Sequence, residues 1–340
     1  MTLRRWEQCK FAATPPAFGV CSDAQRAEGL QMAGRLFNGA PMQLQPCDLH
    51  SYIRGRTLWI IGDSHSKQLF KAIQCFLIDF WDQQECLVSN NERLNQQLDN
   101  LPVLKGDSKC IHVLGSGRVC FVGAVLGTSL LDNPKVASGG VLNLLRKRLA
   151  DPQDIFVINF GVWHVKDGNA GLEQYNKALE RLGSDYKLNK ASWPHVFFRE
   201  TPMSHSKDMK SNICLAAPQG WGLDYGRGRL YIQPLARSAA VQSLVSGGPL
   251  NAPARTILSG KYAMPVIGGF AYSVPLHGSH PGLRGTPALD CLHYCSHGLP
   301  EIITFELFRT FQSGITGVEP LDWPDPTSRL NCTPTNGKYR

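Results

Sequence analysis

The chain has 340 residues, enough for one large α/β domain or two small ones with a sizeable core. Hydrophobic residues make up 43% of it and charged residues 18%, which excludes a disordered chain. The net charge is +8, but the basic residues are scattered and no basic stripe with interleaved aromatics occurs, which argues against nucleic acid and leaves an acidic or neutral glycan as a fitting partner.

Residues 1–50 are rich in Pro and Gly and are expected to be irregular, wrapping the rest as an arm. Thr57-Leu58-Trp59-Ile60-Ile61 is a short apolar run ending at Gly62, which predicts a buried strand. Leu69, Phe70, Ile73, Phe76, Leu77 and Phe80 then recur at helical spacing and predict a helix over 66–81. Ser64 therefore falls at a strand-to-helix turn. Further strands are predicted at 110–114, 119–126, 155–160 and 196–199, with helical patterns near 140–150 and 171–187. Arg146-Lys147-Arg148 lies in the first of these helices and reads as its solvated face.

Strands alternating with helices predict an α/β fold, a mostly parallel sheet with helices on both faces. Residues 203–260 are Gly-, Pro- and Ser-rich without clear periodicity, the composition of a lid or an insertion. Shape returns at 262–270, and a last helix is predicted at 300–311. The expected organisation is an arm (1–50), a main domain (51–312, with 203–260 as the irregular insertion) and a tail (313–340). No internal repeat is visible.

Eleven cysteines, widely spread, argue for disulfides in an oxidising compartment, and the odd number leaves at least one thiol unpaired. Against this, no apolar run of about 18 residues is present, and Met1-Thr2-Leu3-Arg4-Arg5-Trp6 lacks the apolar core of a signal peptide. A luminal chain whose amino-terminal anchor is absent from this sequence reconciles the two. Asn331-Cys332-Thr333 is a glycosylation acceptor compatible with that setting.

The candidate chemistry begins at Gly62-Asp63-Ser64. A serine at the carboxyl end of a buried strand stands where open α/β sheets hold their sites. The start of the following helix offers N–H donors and positive potential for an oxyanion. The plainer alternative is that Asp63 or Ser64 caps the helix. A serine nucleophile needs a base and the base an orienting carboxylate, and Asp290-Cys291-Leu292-His293 supplies both.

The same stretch also reads as a zinc site, through Cys291, His293, Cys295 and His297, or as disulfides anchoring a loop. Asn159, in Asn159-Phe160-Gly161-Val162-Trp163-His164, can donate to an oxyanion, an interaction worth about 3 kcal/mol, or can serve as a strand-end turn residue. His164 reads as a structural histidine.

Taken in order, these motifs resemble the trichome-birefringence-like and PC-esterase family within the GDSL/SGNH group. Cys47-Asp48-Leu49 leading to Gly62-Asp63-Ser64, then Asn159-Phe160-Gly161-Val162-Trp163, Phe198-Arg199-Glu200-Thr201 with Ser204-His205, Gly278-Ser279-His280-Pro281, and Asp290-Cys291-Leu292-His293-Tyr294-Cys295 are similar to that family's blocks. The sequence departs from the family at His65, at Gly278 and within the 161–164 block, all outside Ser64, Asp290 and His293.

The resemblance implies an SGNH-hydrolase-like three-layer sandwich and a triad of Ser64, Asp290 and His293. It implies oxyanion donors from Ser64 and Asn159, with Gly123 or Gly127 adding one, and substrate contacts from Arg199, Trp163 and His280. The activity implied is transfer of acetyl groups to hydroxyls of a polysaccharide or oligosaccharide acceptor in the Golgi lumen. Acetyl-CoA or another acetyl donor would be co-substrate, with no tightly bound cofactor and no metal. An acetyl esterase using the same triad, or a glycan-binding module without activity, are the rival readings.

Overall fold

A computed structural model of the chain describes residues 21–35, 44–81, 109–132, 139–234, 238–282, 288–296 and 298–322. The first elements are helix α1 (Asp23–Arg35), α2 (Pro46–Ile53), strand β1 (Thr57–Gly62) and α3 (Ser64–Phe76). Next come β2 (Lys109–Val113), β3 (Gly117–Gly123), α4 (Gly127–Leu131), α5 (Gly140–Arg148) and β4 (Ile155–Asn159). They are followed by α6 (Gly168–Asn189), β5 (Val196–Arg199), and the short strands β6 (Lys207–Asp208), β7 (Ile213–Cys214), β8 (Trp221–Asp224) and β9 (Arg229–Ile232). The last are α7 (Ala239–Ser246), α8 (Gly248–Ala254), β10 (Val266–Ile267), α9 (Phe270–Ser273) and α10 (Leu299–Gln312).

The chain divides into two compact units. The first takes the described residues of 44–199, 253–267 and 307–322. Its six-stranded sheet has the order β10-β5-β4-β1-β3-β2, parallel except where β2 runs antiparallel to β3. The protein is thus α/β with a mixed, mostly parallel sheet. Leu58, Trp59, Ile60 and Ile61 on β1 and Ile155, Phe156 and Ile158 on β4 are completely buried. That is why these strands read as unbroken apolar runs rather than as alternations.

A buried carboxylate anchors the start of β1. Asp154 accepts from the Thr57 N–H at 2.7 Å and from Trp59 Nε1 at 2.8 Å. Arg146 is a correction to the solvated-face expectation. Its guanidinium pairs with Asp185 at 2.7 Å and lies 5.6 Å from the Trp193 ring, while Lys147 and Arg148 are exposed.

The second unit takes the described residues of 21–35, 200–252, 268–296 and 298–306. It contains α1, the β6–β7 and β8–β9 hairpins and α7. Leu244, Phe270 and Val274 form a core cluster against which Met203, Ala217, Trp221 and Leu230 pack. Two disulfides, Cys21–Cys295 and Cys214–Cys291, tie this unit together, and Cys110–Cys120 joins β2 to β3 in the other. Cys47 and Cys75 are disulfide-bonded as well. Disulfides at this density belong to an oxidising environment, secreted or luminal. Among the described residues no helix is long and apolar enough to cross a membrane.

Two stretches differ from expectation. Residues 23–35 and 46–53 are helical rather than irregular. In α1 the Ser22 Oγ accepts from the Gln25 N–H, and the Gln25 side chain accepts from the Ser22 N–H, a reciprocal cap that fixes the helix start. Residues 203–260 carry two hairpins, α7, α8 and a π-helical segment, Arg255–Lys261. The Asn331-Cys332-Thr333 acceptor lies outside the described residues.

Candidate active site

Ser64 stands where β1 ends. Gly62 has φ +151°, and a Cβ there would run into the Asn159 carbonyl oxygen and lie 2.5 Å from Ser66 Oγ, so only glycine fits. Asp63 caps α3, its Oδ1 accepting from the His65 N–H at 3.0 Å, and its role is to shape the turn. Ser64, half-buried, is the first residue of α3. In the sheet register Gly62 stands opposite Gly123 of β3 and Asn159 of β4. Ser64, Gly123 and Asn159 therefore come to one carboxyl edge. The sheet order reverses there too, since β1 has β3 on one side and β4 on the other, and open α/β sheets hold ligands at such switch points.

The other residues singled out on this unit have defined partners. Asn159 donates from Nδ2 to the Arg199 carbonyl at 2.8 Å. Arg199, 1% exposed at the end of β5, donates to Ser66 Oγ at 3.4 Å. The Gly127 N–H donates to His164 Nε2 at 3.2 Å, and Gly127 lies against Ala178 and Phe160. His164 is buried, and that burial lowers its pKa, as befits a structural imidazole held between Gly127 and Tyr175. Trp163 is 41% exposed and carries Lys166 Nζ over its ring at 3.6 Å.

The Asp290–His293 pair lies in the second unit. His293 donates from Nδ1 to Asp290 Oδ2 at 2.6 Å, both side chains being mostly buried. Asp290 Oδ1 accepts the N–H groups of Leu292 and His293 at 3.0 and 3.2 Å. Burial pushes the Asp290 carboxyl upward, but the His293 hydrogen bond and charge and the two N–H donors outweigh it and bring it to about 2. With its proton on Nδ1, His293 keeps its basic lone pair on Nε2. This is the arrangement of an imidazole base and its orienting carboxylate.

The loop bearing the dyad is tethered on both flanks. Cys291 is bonded to Cys214 and Cys295 to Cys21, so neither offers a thiolate, and the zinc reading loses both of its sulfur ligands. His297 lies outside the described residues. His280, completely buried, engages both ring nitrogens inside the protein, Nδ1 with the His293 carbonyl at 2.6 Å and Nε2 with His205 Nδ1 at 2.8 Å. Sequence alone gives His205 no chemical role. Its signal was only that it stands in a Ser-His block next to a strand end.

Ser64 thus belongs to the first unit, and Asp290, His293 and His280 belong to the second. No protein-family model matches the chain, and no curated protein matches its sequence.

Proposed function

We propose that this chain is an acyl-transferring enzyme of the SGNH type that moves an acetyl group onto a hydroxyl of a polysaccharide through an acetyl-serine at Ser64. The observation that carries the reading is the Asp290–His293 dyad, with its 2.6 Å contact and a carboxylate that stays ionised down to about pH 2. The position of Ser64 at the switch point of a mostly parallel sheet and the ordered family-like motifs support it.

In this reading Ser64 Oγ attacks the carbonyl carbon of the donor while His293 Nε2 takes the serine proton. The oxyanion is held by N–H donors at the start of α3 and by the carboxyl edge around Asn159. Collapse of the intermediate expels the leaving group, which takes the proton back from His293, and acetyl-serine remains. A sugar hydroxyl then gives its proton to His293 and attacks the ester; collapse releases the acetylated sugar as His293 returns the proton to Ser64 Oγ, which restores both residues. If water replaces the sugar, the same steps hydrolyse the donor, and the protein is an esterase.

Incubation with an acetyl donor such as acetyl-CoA, with and without oligosaccharide acceptors, tests the proposal. The expected result is an acceptor mass gain of one acetyl group that Ser64→Ala abolishes. Donor breakdown without any gain, still dependent on Ser64, makes the enzyme an esterase. Gain that survives in Ser64→Ala removes Ser64 from the reaction.

A further inference from the structure

Beside the dyad runs a histidine pair, His280 and His205, for which serine chemistry has no assigned use. His280 and His205 are 0% and 5% exposed. His205 Nε2 lies 3.0 Å from the Val274 carbonyl, so the two rings span two main-chain carbonyls, those of His293 and Val274, with one nitrogen–nitrogen contact between them. Tyr294 packs its ring 4.4 Å from His280, and its hydroxyl donates to the Met203 carbonyl at 2.5 Å. Two imidazoles buried at this depth are costly unless their hydrogen bonds are specific.

The protons of the pair can be counted. A carbonyl oxygen only accepts, so the 2.6 Å contact to His293 requires a proton on His280 Nδ1. His280 Nε2 is then an acceptor, and His205 Nδ1 must donate to it. The Val274 contact would need a third proton, one more than two neutral imidazoles hold. The neutral pair thus makes two of the three bonds, and the shortest is the one to the residue that carries the base.

We propose that His280, kept in its Nδ1–H tautomer by His205, is a positioning residue that fixes the main chain of His293 and so aims its ring at Asp290. The inference rests on His293 being the catalytic base. His293 would then be held from two sides, its ring by Asp290 and its carbonyl by His280. Burial drives the pKa of both His205 and His280 down to about 4, which keeps the pair neutral at ordinary pH. The titratable groups that act on the pair are His277, against His205, and Asp290, against His280. The main chains of His293 and Asp290 also act on His280, and Tyr294 sets its ring against His280 and its hydroxyl 3.4 Å from His205 Nδ1.

NMR of protein labelled with 15N-histidine tests this without requiring turnover. In the wild type, the His280 ring shifts should report the Nδ1–H tautomer. The hydrogen-bonded His293 Nδ1–H should give a downfield proton signal, identified by its loss in His293→Gln. In His280→Leu that signal should move upfield or broaden, and His280→Asn, whose amide can donate to the same carbonyl, should restore it. Where Ser64 reacts with a fluorophosphonate, labelling should slow about 10- to 100-fold in the Leu variant and recover in the Asn variant. An Nε2–H tautomer in the wild type overturns the proposal even if neither variant folds, as does an unchanged His293 signal in His280→Leu. Wild-type protein that fails to react with the probe counts against the enzymatic reading and leaves the NMR outcome to decide the role of His280.

Discussion

Asp63 and Asp290 are two carboxylates of the candidate motifs that take different work. Asp63 accepts the His65 N–H and shapes a turn, whereas Asp290 accepts two N–H groups with one oxygen and the His293 ring with the other. Replacing Asp290 with Asn keeps the size and most of the hydrogen bonding but lets His293 adopt the wrong tautomer. By the behaviour of serine triads, fluorophosphonate labelling of Ser64 should fall about ten-thousand-fold while the thermal melt changes little. Equal labelling rates for the variant and the wild type would show that this carboxylate does not orient the base. The role of His280 is not visible in its local sequence. A Gly-x-His-Pro block suggests substrate contact, but nothing local reveals that the ring is completely buried and turned toward a carbonyl thirteen residues on.

At the level of elements, β1, β4, β5 and the start of α3 were legible because central parallel strands are apolar on both faces, and β1 and β4 end at Gly62 and Asn159. The close approach at Gly62 extends that reasoning. Gly62→Ala forces a Cβ into the Asn159 carbonyl at a φ that disfavours side chains, and should cost about 2 kcal/mol or more, read as a lower midpoint in chemical denaturation. An unchanged midpoint would mean that β1 and β4 can move apart there. The hairpins within 203–260 were not legible, for a physical reason. β6 and β7 have two residues each, too few for an alternation to show, and their stability comes from Cys214–Cys291 and from packing that the local sequence does not display. Helix α1 was legible in principle, through Ser22 and Gln25 at capping-box spacing, but Gly and Pro on either side masked it.

For the whole molecule, cysteine content pointed to the redox compartment, while the two-unit organisation was hidden because one unit is assembled from distant parts of the chain. Cys214–Cys291 closes a loop with a separation of 77, worth about 4 kcal/mol by chain entropy, so mild reduction should lower the melting temperature and weaken the dyad loop first. A melt unmoved by reductant would place the stability elsewhere. Acid acts on the whole molecule as well. Burial lowers the pKa of His195 to about 4, helped by the Arg56 charge, below the ordinary 6.5. The unfolded chain therefore binds a proton there that the folded chain refuses, and the stability this site contributes is present above pH 6.5 and lost as pH falls toward 4. Melts between pH 6.5 and 4.5 should show a shallower loss in His195→Gln than in the wild type, and parallel curves would rule the site out. Asp154 and Glu28, whose pKa burial raises, act in the opposite sense and are the same in both proteins.

The central claim is that Ser64 is a nucleophile activated by the Asp290–His293 dyad. Reaction with a fluorophosphonate probe, followed by peptide mapping of the adduct, tests it most directly. The expected result is one adduct, on Ser64, absent from Ser64→Ala and slowed by orders of magnitude in His293→Ala. A wild-type protein that does not react, or an adduct that persists in Ser64→Ala, would contradict it.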